Sequence, residues 1–206
     1  MAKINFKKGL TDIVLYIIIF IVVQIFLTYA GAGIWAAVKG EGYQATLLAM
    51  GTGNNAILTA LTTVFSNVIT LIIFLKAKWT PLTRNYLQSK PWISLLWVAL
   101  FTLGAIIPLE FAYEQIGVEM DADTERVFAS LMKEPWGYVA IGILAPLAEE
   151  IVFRGAILRT LLDMVSKKNH WVAIFISAAA FGLIHGNKAQ FINALLMGLL
   201  LGWMYY

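Results

Sequence analysis

The chain has 206 residues, 60% of them hydrophobic and only 13% charged, where a soluble domain carries about 25% charged residues. This excludes a water-soluble core and points to a polytopic membrane protein. The formal net charge of +3 is small and gathers in particular loops, which argues for membrane topology and against a nucleic-acid partner. With no cysteine, disulfides and thiolate metal sites are excluded as well.

Lys3, Lys7 and Lys8 precede the first apolar segment, residues 10–36. That segment is too long for the core of a signal peptide, and no small-residue cleavage site follows it, so it reads as a retained helix. Further apolar segments run over 55–77, 91–113, 136–161, 170–186 and 189–206. Each reaches, or nearly reaches, the roughly 20 residues that span a bilayer core. The first and fourth exceed that length, which implies tilt; the fifth is marginal. The expected fold is therefore all-α, a membrane bundle of about six transmembrane helices. Residues 1–136 supply three spans and an acidic loop, and 137–206 form a second region.

The loops set the orientation. Lys76, Lys78, Arg84 and Lys90 lie between the second and third segments, and Arg159, Lys167 and Lys168 between the fourth and fifth. The intervening loop is acidic, with Glu114, Glu119, Asp121, Asp123, Glu125 and Glu134. The positive-inside rule places the N-terminus in the cytoplasm of a multi-pass cell-membrane protein. Within the acidic loop, residues 114–135 read either as a short amphipathic helix, with Val127, Phe128, Leu131 and Met132 on one side, or as a solvated connector.

The fourth segment holds the anomaly. Glu149, Glu150 and Arg154 are three charges in a stretch otherwise built for lipid. Ionisable residues at that depth are rare, face the protein interior or water, and mark function. Glu150 and Arg154 are four apart, so one helix face carries both within ion-pair reach. Glu149 is rotated about 100° from Glu150. One carboxylate is thus balanced by arginine and the other is left available as a general base.

The fifth segment ends in His185, one of two histidines. Lys167 marks the basic turn between the fourth and fifth segments. Glu149 lies 18 residues before it and His185 18 after it, so in an antiparallel hairpin both stand roughly 25 Å from the turn. A carboxylate and an imidazole at one depth can hold and deprotonate water, with or without a metal such as zinc. A buried Glu–Arg pair that merely pins helices is the structural alternative. His170, beside Trp171, reads as an interfacial residue without a role.

Glu-Glu-x-x-x-Arg on one membrane helix, followed by Phe181-x-x-x-His185 on the next, resembles the CAAX-protease and bacteriocin-processing family, also called Abi, which includes the type II CAAX prenyl endopeptidases. Phe153-Arg154-Gly155 and the segment from Phe191 to Gly202 fit the same pattern, so the resemblance covers residues 137–206. It implies an intramembrane endopeptidase, of bacterial type by its compact size, acting on a membrane-associated peptide or protein. Glu149 would activate water. His185 would orient that water or share a metal with Glu149. Glu150 and Arg154 would shape the site and hold the substrate. The family also carries a His-x-x-x-Asn or His-x-x-x-Asp motif on a later helix; this sequence ends at Met204-Tyr205-Tyr206 without it, and so reads as a C-terminally shortened member. That departure sustains a second reading, a non-catalytic membrane binding protein such as an immunity factor or a regulator of a membrane sensor.

Smaller features complete the pattern. Gly198 and Gly202 are spaced for close helix packing, expected within the chain rather than between copies. Pro146 is positioned to kink the helix ahead of Glu149. Asn187 and Asn193 are polar neighbours of His185, and Asn193 is a candidate to face the site.

Overall fold

The computed structural model describes residues 5–81, 92–115, 117 and 119–206. The first helix, α1, spans Phe6–Lys39; Asn5 caps it by accepting from the Lys7 N–H at 3.0 Å. Such a cap satisfies one of the donors that every helix start leaves free. A short helix, α2 (Tyr43–Gly51), follows; its weak amphipathic pattern gave no sequence signal. Next comes α3 (Ala56–Lys76), capped by Asn55. The long apolar helix α4 covers Trp92–Gln115. Arg84 and Lys90, counted among the basic loop residues, lie outside the described residues.

The acidic loop does contain a helix, α5 (Ala122–Leu131), begun by Asp121 as its cap. Leu131 is buried, with Val127 and Phe128 half-buried. The apolar face packs onto α2 and α3, so it seals the bundle end instead of lying free on a membrane surface.

Five abutting segments then form one helical run, α6, over residues 135–164: Pro135–Gly137, Tyr138–Leu144, Ala145–Glu149, Glu150–Leu158 and Arg159–Met164. Tyr138–Leu144 and Glu150–Leu158 carry the wider i→i+5 hydrogen bonding of a π-helix, which is rare and favours functional sites. Past the basic turn come α7 (His170–Leu183) and α8 (Lys188–Tyr205).

Predicted and observed boundaries agree within a few residues for all the long segments. Three helices, α1, α3 and α4, are each long and apolar enough to cross a membrane. The fifth segment differs from a full span. With 14 residues, α7 is about 21 Å long, short of the roughly 30 Å hydrocarbon core. It turns back into α8 instead of crossing. Gly186, at φ +74°, makes that reversal with a backbone conformation that glycine adopts without strain. Asn187 then starts α8, its side chain accepting from the Gln190 N–H at 2.8 Å. At the opposite end, the Tyr206 ring stacks on His170 at 4.2 Å, closing the hairpin base. His170 therefore has a packing role that its position beside Trp171 did not foretell.

Gly198 and Gly202 serve this hairpin. A Cβ on Gly198 would sit 2.9 Å from the Ala178 Cα, and one on Gly202 2.9 Å from the Ile174 side chain. The small-residue pair packs inside the chain, as expected. The apolar core joins α1, α3, α6 and α7 through Tyr16, Phe20, Phe74, Phe153, Ile157 and Ile174.

Candidate active site

Pro146 has no N–H to give to the preceding turn, and the helix ahead of it is already wide: the Ala145 N–H reaches back five residues to the Ala140 carbonyl. A backbone carbonyl that leaves the α-ladder in an apolar setting needs another donor. Two arrive from neighbouring elements. The Thr80 hydroxyl donates to the Ile151 carbonyl at 2.7 Å, and the Ser177 hydroxyl to the Phe153 carbonyl at 3.1 Å. Thr80 reaches that position because the chain doubles back beneath α3, through Lys78 at φ +58°. The widened stretch of α6 that begins at Glu150 is thus held from outside, just after the two glutamates, by Thr80 on one side and α7 on the other.

The two carboxylates point to different partners. Glu150 Oε1 lies 3.1 Å from Arg154 Nη1. Arg154 is buried, while the Glu150 side chain is 41% exposed. The Nη1 contact is a charge pairing that falls outside hydrogen-bond alignment; Nη2 donates to the Met197 carbonyl on α8 at 3.4 Å. The guanidinium also lies over the Phe181 ring, 4.7 Å from its centre. One arginine therefore ties α6 to both α7 and α8.

Glu149 faces α7. Its Oε1 is 4.0 Å from His185 Nε2, with both side chains about a quarter exposed. The hairpin places them together, as their equal distance from Lys167 predicted. The other ring nitrogen fixes the tautomer: His185 Nδ1 is 2.8 Å from the Phe181 carbonyl. A carbonyl can only accept, so Nδ1 carries the hydrogen. In the neutral ring Nε2 then presents a lone pair toward Glu149. The Phe181 carbonyl is free to accept because it belongs to the last turn of α7. The Phe181 ring packs edge-on against His185 at 5.0 Å.

Phe181 thus orients the imidazole through its carbonyl and covers the arginine with its ring. The sequence showed it only as the first letter of Phe-x-x-x-His; the i−4 spacing was the available signal. Asn187 is a helix cap. Asn193 is exposed and accepts from the Tyr113 hydroxyl at 3.2 Å, so it joins α8 to α4 and not to the Glu149–His185 pair.

Residues 131–206 match the protein-family model of the type II CAAX prenyl endopeptidase Rce1-like proteins. This stretch of the chain is similar to that family. The Rce1-like region starts six residues before the resemblance read from the motifs and contains every member of the charged cluster. Among curated proteins, the chain is 25% identical over 144 residues to "Putative membrane peptidase YdiL" of Bacillus subtilis (strain 168). The alignment covers 67% of this chain, which spans 57% of that relative's length. No solved structure matches the chain.

A catalytic zinc takes three protein ligands and leaves a fourth position open. Glu149 and His185 offer one carboxylate and one imidazole, and Glu150 is engaged by Arg154. Among the described residues no group of three His, Cys, Asp or Glu side chains converges. The donor set falls short of a zinc site, so the chemistry below is derived from the glutamate and the histidine alone.

Proposed function

We propose that this chain carries the water-activating half of an intramembrane endopeptidase of glutamate type. The observation that supports this most directly is the 4.0 Å approach of Glu149 Oε1 to His185 Nε2, with Nδ1 tied to Phe181. Two acceptor atoms at that separation can share one water at about 2.8 Å from each. One O–H of the water points to the carboxylate and the other to the imidazole lone pair. Its own lone pair is then turned toward a peptide carbonyl laid across the site.

In this reading Glu149 takes a proton as the water oxygen adds to the carbonyl carbon. The same proton passes to the departing amine nitrogen as the C–N bond breaks, which returns the carboxylate. His185 holds the water without changing its own protonation. Glu150 remains partly exposed beside Arg154 and lines the route by which a peptide reaches Glu149. The substrate is a membrane-associated peptide or protein, and the surrounding bilayer is the second partner. The N-terminus faces the cytoplasm, in line with Lys7, Lys8, Lys76, Lys78, Arg159, Lys167 and Lys168 at one end of the helices.

Liposome-reconstituted protein and the variants Glu149→Gln and His185→Gln test the proposal on a fluorogenic membrane peptide, with and without a chelator. Each substitution is expected to lower cleavage by about 10²-fold or more, the scale of a lost general base, and to leave the melting temperature in place. Full activity in chelator agrees with the glutamate mechanism. Loss in chelator with restoration by zinc would replace it with a metal-assisted one. Undiminished cleavage by Glu149→Gln would remove the reading altogether.

A further inference from the structure

The site is charged on α6 and α7, but a second polar group lies deep in the bundle on α1 and α3. Gln24, Ser66, Asn67 and Thr70 form one connected cluster. The Ser66 hydroxyl donates to Gln24 Oε1 at 2.6 Å. Gln24 Nε2 donates toward Asn67 Oδ1 and Thr70 Oγ1, each at 3.4 Å. Asn67 Nδ2 donates to the Thr63 carbonyl at 2.9 Å, and the Thr70 hydroxyl to the Ser66 carbonyl at 2.8 Å. Ser66, Asn67 and Thr70 are buried. Each member is hydrogen-bonded within the cluster or to its own helix.

Its depth follows from two contacts. Gly9 of α1 lies against Met164 at the end of α6: a Cβ there would be 2.4 Å from the Met164 Sδ. Eleven residues along each helix, running in opposite directions, Phe20 meets Phe153 edge to face at 6.0 Å. One further turn carries α1 to Gln24 and α6 to Glu149. Each stands four residues from its ring, on the same helix face as that ring. The cluster is therefore level with the carboxylate. In addition, α3 packs along Ala145–Glu149, the short segment between the two widened stretches of α6.

That segment does not set its own position. Pro146 lacks a donor, and the hydrogen-bond pattern changes on both sides of Glu149. The walls against which it rests fix where Glu149 stands. Apolar faces alone hold such walls weakly in lipid, because lipid chains compete equally well for them; interhelical hydrogen bonds supply register. We infer that Gln24, with Ser66, Asn67 and Thr70, is a positioning clamp that locks α1 to α3 at the level of the site and so sets the Glu149–His185 distance. This rests on the endopeptidase reading for its catalytic consequence, though not for its geometric one.

The test uses the two histidines as reporters. Protein carrying ¹³C-histidine gives two imidazole signals, from His185 at the site and His170 at the far end of the hairpin. Gln24→Leu and the milder Ser66→Ala are each expected to move the His185 signal and leave His170 in place. In the peptidase assay both should lower kcat with KM retained, Gln24→Leu by about tenfold, since displacement of a catalytic group by a fraction of an ångström is felt in rate before binding. Should Gln24→Leu fail to fold, Ser66→Ala carries the test. A changed melting temperature with an unmoved His185 signal would overturn the clamp and leave only helix adhesion. A moved signal in a protein whose wild type cleaves nothing would keep the clamp and remove the endopeptidase reading.

Discussion

Helices α4 and α6 look alike in sequence and differ in almost every structural respect. Both are long and apolar, and each contains an internal proline, Pro108 in α4 and Pro146 in α6. Among the described residues in the most apolar part of α4 none is buried, and its backbone keeps the ordinary α pattern through Pro108. In α6 the stretch from Val152 to Leu158 is buried throughout and the hydrogen bonding widens on both sides of the proline segment. A proline by itself does not widen a helix. Displaced carbonyls must find donors, and only a helix with polar neighbours at the right height has them. Thr80 and Ser177 supply α6.

Crowding the contact that feeds α6 gives the largest expected effect. Gly155 lies directly against Thr80, where a Cβ would come within 2.2 Å of the Thr80 Cγ2 and 2.8 Å of its hydroxyl. Gly155→Val should push Thr80 away from the Ile151 carbonyl and cost about 1–3 kcal/mol from overpacking, with a further loss of cleavage as the turn beside Glu149 relaxes. Gly104→Val in α4, where a Cβ would meet nothing within 4 Å, should change neither thermal stability nor activity. Equal melting temperatures for the two variants would break the contrast between the helices.

Thr80→Val is a smaller change on the same contact. It keeps the shape of the side chain and removes the donor, taking the Thr80 hydrogen bond from the Ile151 carbonyl at a cost of about 0.5–1.5 kcal/mol. Because the shape is preserved, a drop in stability here isolates the hydrogen bond from the packing. Hydrogen exchange across residues 150–158 is the direct measure: protection should fall there and persist in α4.

The contrast also explains how much could be read beforehand. The extents of the long helices came through because hydrophobic length is a property of consecutive residues, whereas the short α2 did not. So did the pairing of Glu149 with His185, since a hairpin with a basic turn converts residue counts into depth. What the sequence concealed depends on neighbours distant along the chain. Nothing local to Thr80 says that it will reach Ile151, 71 residues on. Gln24 looked like one polar residue in an apolar run; its partners on α3 are more than 40 positions away. The incomplete crossing of α7 was visible only as marginal length, and Asn187 and Asn193 could not be assigned to a cap and a tether until the turn at Gly186 was in place.

The joint between the two helices offers the mildest perturbation, through pH. Between α4 and α6, α5 covers the ends of α2 and α3, and its first turn depends on Asp121. The Thr124 hydroxyl donates to this carboxylate at 2.7 Å and the Thr124 N–H at 2.9 Å. These bonds, the hydroxyl first, hold the Asp121 carboxyl below its usual range. A carboxylate whose acidity is strengthened by folding contributes its stabilisation when ionised, so the contribution is complete above the unfolded value of about 3.9. It disappears as pH falls through the lower folded value. Amide protection in α5 should therefore be flat from pH 7 to pH 5 and decline only in more acidic solution. In α3, whose cap is the non-titrating Asn55 accepting from the Leu58 N–H at 3.2 Å, the same acidification should have no such effect on the first turn. Asp121→Ala should lower α5 protection at neutral pH and abolish its acid dependence, while leaving the charged cluster on α6 and its reaction unaltered. If acid loosened α3 and α5 together, the cap would not be the cause, and the end of the bundle would be opening as a unit.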